Sequence, residues 1–315
     1  MIDFRYHLVS LIAVFLAVAL GIIIGTTALN APILADIKNQ VSALEKDKRS
    51  LEDRTQQLQS EVKNTDTFAE AVAPALVDHV LAGSSVLIVV ANGDVPADTV
   101  DQVTALVKQA GGTVSGTLTL QPEYSDPSTA TSLQNYVTGS GLPAGVTLPS
   151  VNDPGQLVGS LLAQVLMIPP IGTAPDRAAI SSVLAGLSAL NVLTAEGDSV
   201  APADYAVVLT AGAFTGTDAA DRNATLTKLV SALDSAGSGA VVSGDVASAG
   251  DNGLVGVIRN DPSLSAAVST VDNVGTAAGR ISTVLALVSE GDGTSGKYGV
   301  GQDTQPVPPV PAPAP

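Results

Sequence analysis

From Leu8 to Ala35 the chain carries no charged side chain, and Leu8–Ile24 reads LVSLIAVFLAVALGIII. A helix in a soluble core shows a polar face at a 3.6-residue period, and this stretch shows none. Lengthened by Gly25–Leu29, it reaches the roughly 20 residues that cross ~30 Å of hydrocarbon. It predicts a membrane-spanning helix, with Phe4 and Tyr6 where interfacial aromatics belong. The competing reading is a signal peptide cleaved at Thr26-Thr27-Ala28. Against it, the run is longer than the usual h-region of about 7–15 residues, and Arg5 is the only Lys or Arg before it. Ala13, Ala17, Gly21 and Gly25 recur every four residues along one helix face. Gly21 and Gly25 form a GxxxG pair, which lets two backbones approach closely in lipid.

The pattern then changes to a heptad. Asn30 and Pro32 stand where a new helix would begin, as cap and first-turn residues. Leu34, Val41, Lys48, Thr55 and Val62 fall at a; Ile37, Leu44, Leu51, Leu58 and Thr65 fall at d. The aliphatic seam, Leu34, Ile37, Val41, Leu44, Leu51, Leu58 and Val62, suits a parallel dimer, with Lys48 and Thr55 weakening it and setting register. Asp47 at g would face Glu52 at e of the partner and repel it. Within one helix, Glu45, Arg49 and Asp53 and the pair Lys48 and Glu52 are well placed at four-residue spacing, so a single exposed stalk is the plainer alternative. In both readings ~32 residues at ~1.5 Å each make a spacer of about 48 Å.

Beyond it, Thr65–Gly83 reads as further helix with Phe68, Val72, Leu76 and Val80 on one face. Ser85–Ala91 is apolar on both faces, as in a buried parallel strand. A helix over Pro96–Ala110 and a strand over Thr113–Leu120 complete a right-handed β-α-β unit. Gln121–Pro154 is rich in Pro, Ser, Thr and Gly and holds one helix near Ala130–Val137. Helices follow at Gly155–Met167, Pro175–Leu190, Asp218–Ala236 and Gly275–Glu290. Strands are expected at Tyr205–Ala211, Ala240–Ser243 and Val268–Val271. Alternation of this kind predicts an α/β domain with a mostly parallel, Rossmann-like sheet. The organisation expected is an N-terminal tail and transmembrane helix over 1–29, a coiled coil over 30–65, an acidic α/β domain over 66–302 and a Pro-rich disordered tail over 303–315. The end, QPVPPVPAPAP, reads as extended polyproline.

Charge sharpens this division. Up to Thr65 there are seven basic and seven acidic residues; from Asp66 on there are seven basic against 23 acidic, so the net −16 belongs to the distal part. Such a surface repels nucleic-acid phosphates. With no cysteine there are no disulfides. Arg5 before the span and Lys38 after it nearly balance; the expected topology is a short internal tail with the large domain extracytoplasmic.

Catalytic groups are sparse. The two histidines are His7 beside the span and His79 before the first strand, and no G-x-S-x-G elbow accompanies them. Gly291–Lys297 resembles a phosphate loop, but Tyr298 replaces the required Ser or Thr and the segment follows a helix, so it reads as an exit loop. No G-x-G-x-x-G fingerprint appears. Soft metals prefer thiolate and thioether, and the chain offers only Met1 and Met167. Asp98 and Asp101, or Asp218 and Asp221, are ordinary first-turn acids. The reading is non-enzymatic, with no cofactor evident. A transmembrane barrel, which needs alternating ~10-residue strands and aromatic girdles, does not fit nine aromatics and no Trp.

The opening Met1-Ile-Asp-Phe-Arg-Tyr-His-Leu-Val-Ser10, the Gly25-Thr26-Thr27 exit and the coiled coil resemble the actinobacterial copper transport family MctB. So do Val271–Gly275, Gly279-Arg280-Ile281 and Lys297-Tyr298-Gly299 near the end. The resemblance spans essentially the whole chain. It implies a cell-envelope protein of copper efflux and homeostasis, described as an outer-membrane pore, with members linked to cell division and cell-wall hydrolysis. It supplies no metal-binding residue to carry over, so copper enters by resemblance alone. The alternative reading is a dimeric scaffold that presents its acidic domain to an envelope protein partner.

Overall fold

The computed structural model describes residues 4–139, 142–196 and 200–311, and for residues 26–35 the backbone alone. The side chain of Leu34, those of the Thr26–Ala28 segment and those of the Asn30–Pro32 cap lie outside the described residues. The chain divides into two compact units, Met1–Thr65 and Asp66–Pro315.

Helix α1 runs Phe4–Val77. Its first part contains an apolar span, Phe4–Gly25, of mean hydropathy 2.9. The expected fresh start at Asn30–Pro32 is not seen, because the helix passes through it. Proline removes one backbone donor, and the helical turns on either side carry the chain across that gap.

In the second unit, strands β1 (Ser85–Val90), β2 (Thr113–Leu120), β3 (Leu193–Glu196), β4 (Tyr205–Thr210), β5 (Ala240–Gly244), β6 (Ser269–Val271) and β7 (Lys297–Tyr298) form one sheet. Their order is β3-β2-β1-β4-β5-β6-β7. All pairs are parallel except β2–β3. The chain winds outward from β1 in one direction, then returns to β4 and winds outward in the other, which is the doubly wound arrangement.

The double-faced apolarity of the strands has a direct cause in packing. Leu87 and Val89 of β1, with Ala206 and Val208 of β4, enter one core. Val86, Ile88 and Val90, with Val207 and Leu209, enter the other. Successive side chains of a strand point to opposite faces, so helices on both sides demand apolar residues at every position. The first core is covered by α4 (Ala130–Thr138), α5 (Pro154–Leu166), α6 (Arg177–Ala189), α7 (Ala219–Ala236) and α8 (Leu254–Asn260). The second is covered by the last turns of α1, α2 (Ala97–Gln109) and α10 (Ala277–Gly291). Burying each such Leu, Val or Ile stabilises the fold by roughly 1.5–3 kcal/mol.

Four expectations are revised. The inward face of α1 after Asp66 uses Ala69, Ala73, Leu76 and Val77, whereas Phe68 is exposed. Small residues let the helix lie close to its neighbours, and Phe68 falls on the other side. The antiparallel edge β3, the short helix α3 (Pro122–Ser125), and the short helices α8 and α9 (Pro262–Ala267), were not foreseen. The exit loop of Gly291–Tyr298 ends in β7, with Tyr298 buried. Gln305 then returns to β7 with two backbone hydrogen bonds, Gln305 N to Lys297 O at 2.8 Å and Gly299 N to Gln305 O at 2.9 Å, and Pro308 is buried.

Candidate functional site

Doubly wound sheets bind ligands outside the carboxyl ends of the strands where the winding reverses, here between β1 and β4. That seam is tied by side chains at both ends. At the carboxyl end Asn92 Nδ2 donates to Ala211 O at 2.6 Å, and Ala211 N donates to Asn92 Oδ1 at 3.2 Å. At the amino end Asp204 Oδ2 accepts from Ser85 N and Ser85 Oγ, both at 2.7 Å. Gly212, held at a positive φ of 67° that favours glycine, donates to Asp245 Oδ1 at 2.9 Å. Asn92 thus occupies with its own carboxamide the polar groups that a ligand would meet between the two strand ends.

Beside this seam Arg222 is clamped between Asp218 (2.6 Å) and Asp126 (2.9 Å), donates to Pro122 O and lies 5.9 Å from the Phe214 ring centroid. The hydrogen bond from Arg222 is the main influence holding Asp218 below the usual carboxylate range. Asp126 is lowered first by hydrogen bonds from Ser128 and then by Arg222. The guanidinium is therefore committed, and Asp94 and Asp245 on the adjacent loops leave this end of the sheet acidic.

The residues that carry the C-terminal resemblance fall into two connected clusters. In the first, Asp272 is fully buried and bonds Arg259 Nη1 at 2.6 Å. Its two oxygens also accept from Val300 N at 2.7 Å and Gly301 N at 3.0 Å. Arg259 donates to Thr270 Oγ1 and Tyr298 O, while Lys297 Nζ donates to Arg259 O. Gly299 has φ 130°, and a Cβ there would strike the Asp272 carboxylate. This cluster locks β6, β7 and the loop beyond them.

In the second cluster Arg280, with a side chain only 7% exposed, donates to Gly275 O at 3.0 Å and Glu70 Oε1 at 3.2 Å. Asp66 Oδ1 accepts from Ala277 N at 3.0 Å, at the first turn of α10, and Thr276 caps the same end through Gly279 N. A carboxylate is favourable at a helix N-terminus. Gly279 packs so closely on Asn273 O that a side chain would collide. These contacts join the last turns of α1 to α10. Sequence reading assigned the segment to a family signature and missed its role; the acids Asp66 and Glu70, four residues apart on one helix face, were the available signal.

The sites expected in the first unit are on one helix. Ala13, Ala17, Gly21 and Gly25 lie in the apolar span, and nothing stands within 4 Å of a Cβ built at Gly21 or Gly25. Ile37, Val41, Leu44, Leu51, Leu58 and Val62 are each half or more exposed. The polar a residues fold back on their own helix: Lys48 pairs with Glu52 at 3.5 Å and Thr55 Oγ1 donates to Leu51 O at 2.8 Å.

Among the described residues no group of three or more His, Cys, Asp or Glu side chains is arranged to hold a metal ion. Met167 is buried in the first core. His79 is exposed just past the end of α1, at φ 59° beside Asp78.

Fold and sequence together define a class: a protein with an N-terminal apolar helix long enough to cross a membrane, the one such helix among the described residues, and a doubly wound α/β unit. The chain matches the family described as copper transport outer membrane protein, MctB, over residues 1–309. It is 33% identical over 306 residues to the copper transporter MctB of Mycobacterium tuberculosis (strain ATCC 25618 / H37Rv), covering 96% of this chain and 97% of that protein. It is 34% identical over 309 residues to the copper transporter MctB of Mycobacterium leprae (strain TN), at 96% and 97% coverage. The chain belongs to the MctB family.

Proposed function

We propose that this protein serves copper homeostasis at the cell envelope as a non-enzymatic, single-pass membrane protein, with copper as cargo and the α/β unit on the extracytoplasmic side. The observation that carries the reading is full-length similarity to the copper transporters MctB, anchor and C-terminal signature included. The exposed stripe of Ile37, Val41, Leu44, Leu51, Leu58 and Val62 supports action as a parallel homodimer, because an apolar a/d seam is stable only when paired. The small-residue face Ala13–Gly25 supports the same pairing in lipid. A deletion strain should accumulate copper and lose copper tolerance, and the intact gene should restore both. Unchanged copper content would sink the assignment. Protease accessibility with membrane fractionation decides topology and address.

A second reading has its own support. The signature residues near Arg280 fasten Asp66 and Glu70 to α10 within the second unit, which suits a scaffold that presents this acidic unit to an envelope partner involved in cell-wall remodelling or division. Capture of that partner by the full chain would survive metal chelation.

A further inference from the structure

Three helices of the second unit meet around a small cleft. Glu70 reaches it from the last turns of α1, Gln102, Leu106 and Gln109 from α2, and Arg280 and Ile281 from α10. Its volume is about 230 Å³. That lies below the roughly 300–1,000 Å³ of sites for drug-sized ligands, and it suits one residue-sized group. Among the described residues that line it, only Arg280 and Glu70 are charged. We propose that this cleft binds a carboxylate carried on a short aliphatic group, and that Glu70 is the stand-in which such a ligand displaces from Arg280.

The guanidinium is fixed in place, yet its best edge is only partly used. The bond from Nη1 to Gly275 O orients the nearly buried side chain without help from Glu70. The Nε–Nη2 edge of an arginine presents two parallel N–H groups that match the two oxygens of a carboxylate. Glu70 meets that edge at Nη2 alone, through Oε1 at 3.2 Å, which is long for a charge-assisted hydrogen bond. Nε makes no hydrogen bond among the described residues and is not sealed from solvent. The Glu70 side chain is 59% exposed, so its pair with Arg280 is weakly held. A ligand carboxylate that meets both Nε and Nη2 gains a second charge-assisted bond that Glu70 does not make. Gln102 and Gln109 are exposed at the rim as further donors, and buried Leu106 and Ile281 give a short aliphatic chain an apolar floor. The surplus of acids in this part of the chain opposes any anion and keeps the binding weak.

The test is saturation-transfer NMR on the full chain in nanodiscs at neutral pH, with butyrate and acetyl-trialanine as probes and their amides as controls. At least one acid should bind with a millimolar Kd, and neither amide should. Tighter binding of butyrate assigns free small acids, and tighter binding of the capped peptide assigns a chain terminus; either result supports the site. Glu70→Ala removes the competing carboxylate, so it should tighten binding of the preferred acid about two- to fivefold, whereas a purely structural Glu70 would not. Arg280→Gln should abolish binding. No binding of either acid at tens of millimolar, equal binding of acid and amide, or an affinity in E70A that is unchanged or weaker overturns the proposal. Should the variants fail to fold, the Arg280 Nε–H resonance of the wild type decides. A shift on adding the acids and not their amides supports the site, and no shift ends it.

Discussion

Asp272 and Arg259 form a buried ion pair, 2.6 Å between Oδ2 and Nη1, at the carboxyl end of β6. Every remaining acceptor direction of Asp272 that matters is met by the backbone of Val300 and Gly301. Leaving either charge alone in this site is costly, by about 3–5 kcal/mol. Asp272→Ala should therefore lower unfolding stability by about that amount. The double change Arg259→Met, Asp272→Leu should recover part of it, since an apolar pair leaves no stranded charge. Urea unfolding followed by circular dichroism measures both.

Asn92→Ala removes the carboxamide that ties β1 to β4 and strands the Ala211 N–H and C=O. The expected cost is about 1–3 kcal/mol. Exchange at the Ala211 amide should accelerate before global unfolding does. No local acceleration would mean that water replaces the carboxamide without penalty.

The absence of cysteine makes the proposed seam easy to test. Leu51→Cys and Leu58→Cys sit at d, where facing Cα atoms of a parallel dimer come within disulfide range. Each should crosslink rapidly under mild oxidation in membranes, whereas Gln57→Cys, at an outward heptad position, should not. Equal crosslinking at all three positions would reject the seam. Gly21→Leu should slow the Leu51→Cys crosslink by separating the helices in lipid.

Stability should peak on the acid side of neutrality. Asp234 and Glu290 have raised folded values of about 6 and about 7. Their protonated forms favour the fold, and that contribution is lost as pH rises from the unfolded values through 6 to 7. Asp126, Asp153 and Asp218 are shifted downward, so their contribution is present above the ordinary Asp range and lost as pH falls below it. The surplus of acids adds self-repulsion at higher pH. Denaturant midpoints measured from pH 3 to 9 should be highest between about pH 4 and 6. A maximum at pH 8 would contradict this.

Periodicity alone made most elements legible. β2 was expected at Thr113–Leu120 and lies there, and α2, α4, α5, α6, α7 and α10 fall within two residues of expectation. A strand covered on both faces must be apolar throughout, and a helix over a sheet must show one apolar stripe, so local pattern carries that information. β3 escaped because only Leu193 of its four residues is buried. β7 escaped because Lys297 and Tyr298 become a strand only where Thr270 and Val271 offer them partners.

The candidate sites divide along the same line. The apolar span, the spacing of Ala13, Ala17, Gly21 and Gly25, and the a/d stripe follow from neighbours three or four residues apart, and the chain alone determines them. Tertiary structure alone brought Asp66 and Glu70 to Ala277 and Arg280, Asn92 to Ala211, and Asp234 and Glu290 to adjacent strand starts. Apart from Asp234 and Ala240, six positions apart, those contacts join residues 21 to 211 positions apart. No repeat along the chain encodes such distances; they arise when the order of strands in the sheet places remote segments side by side.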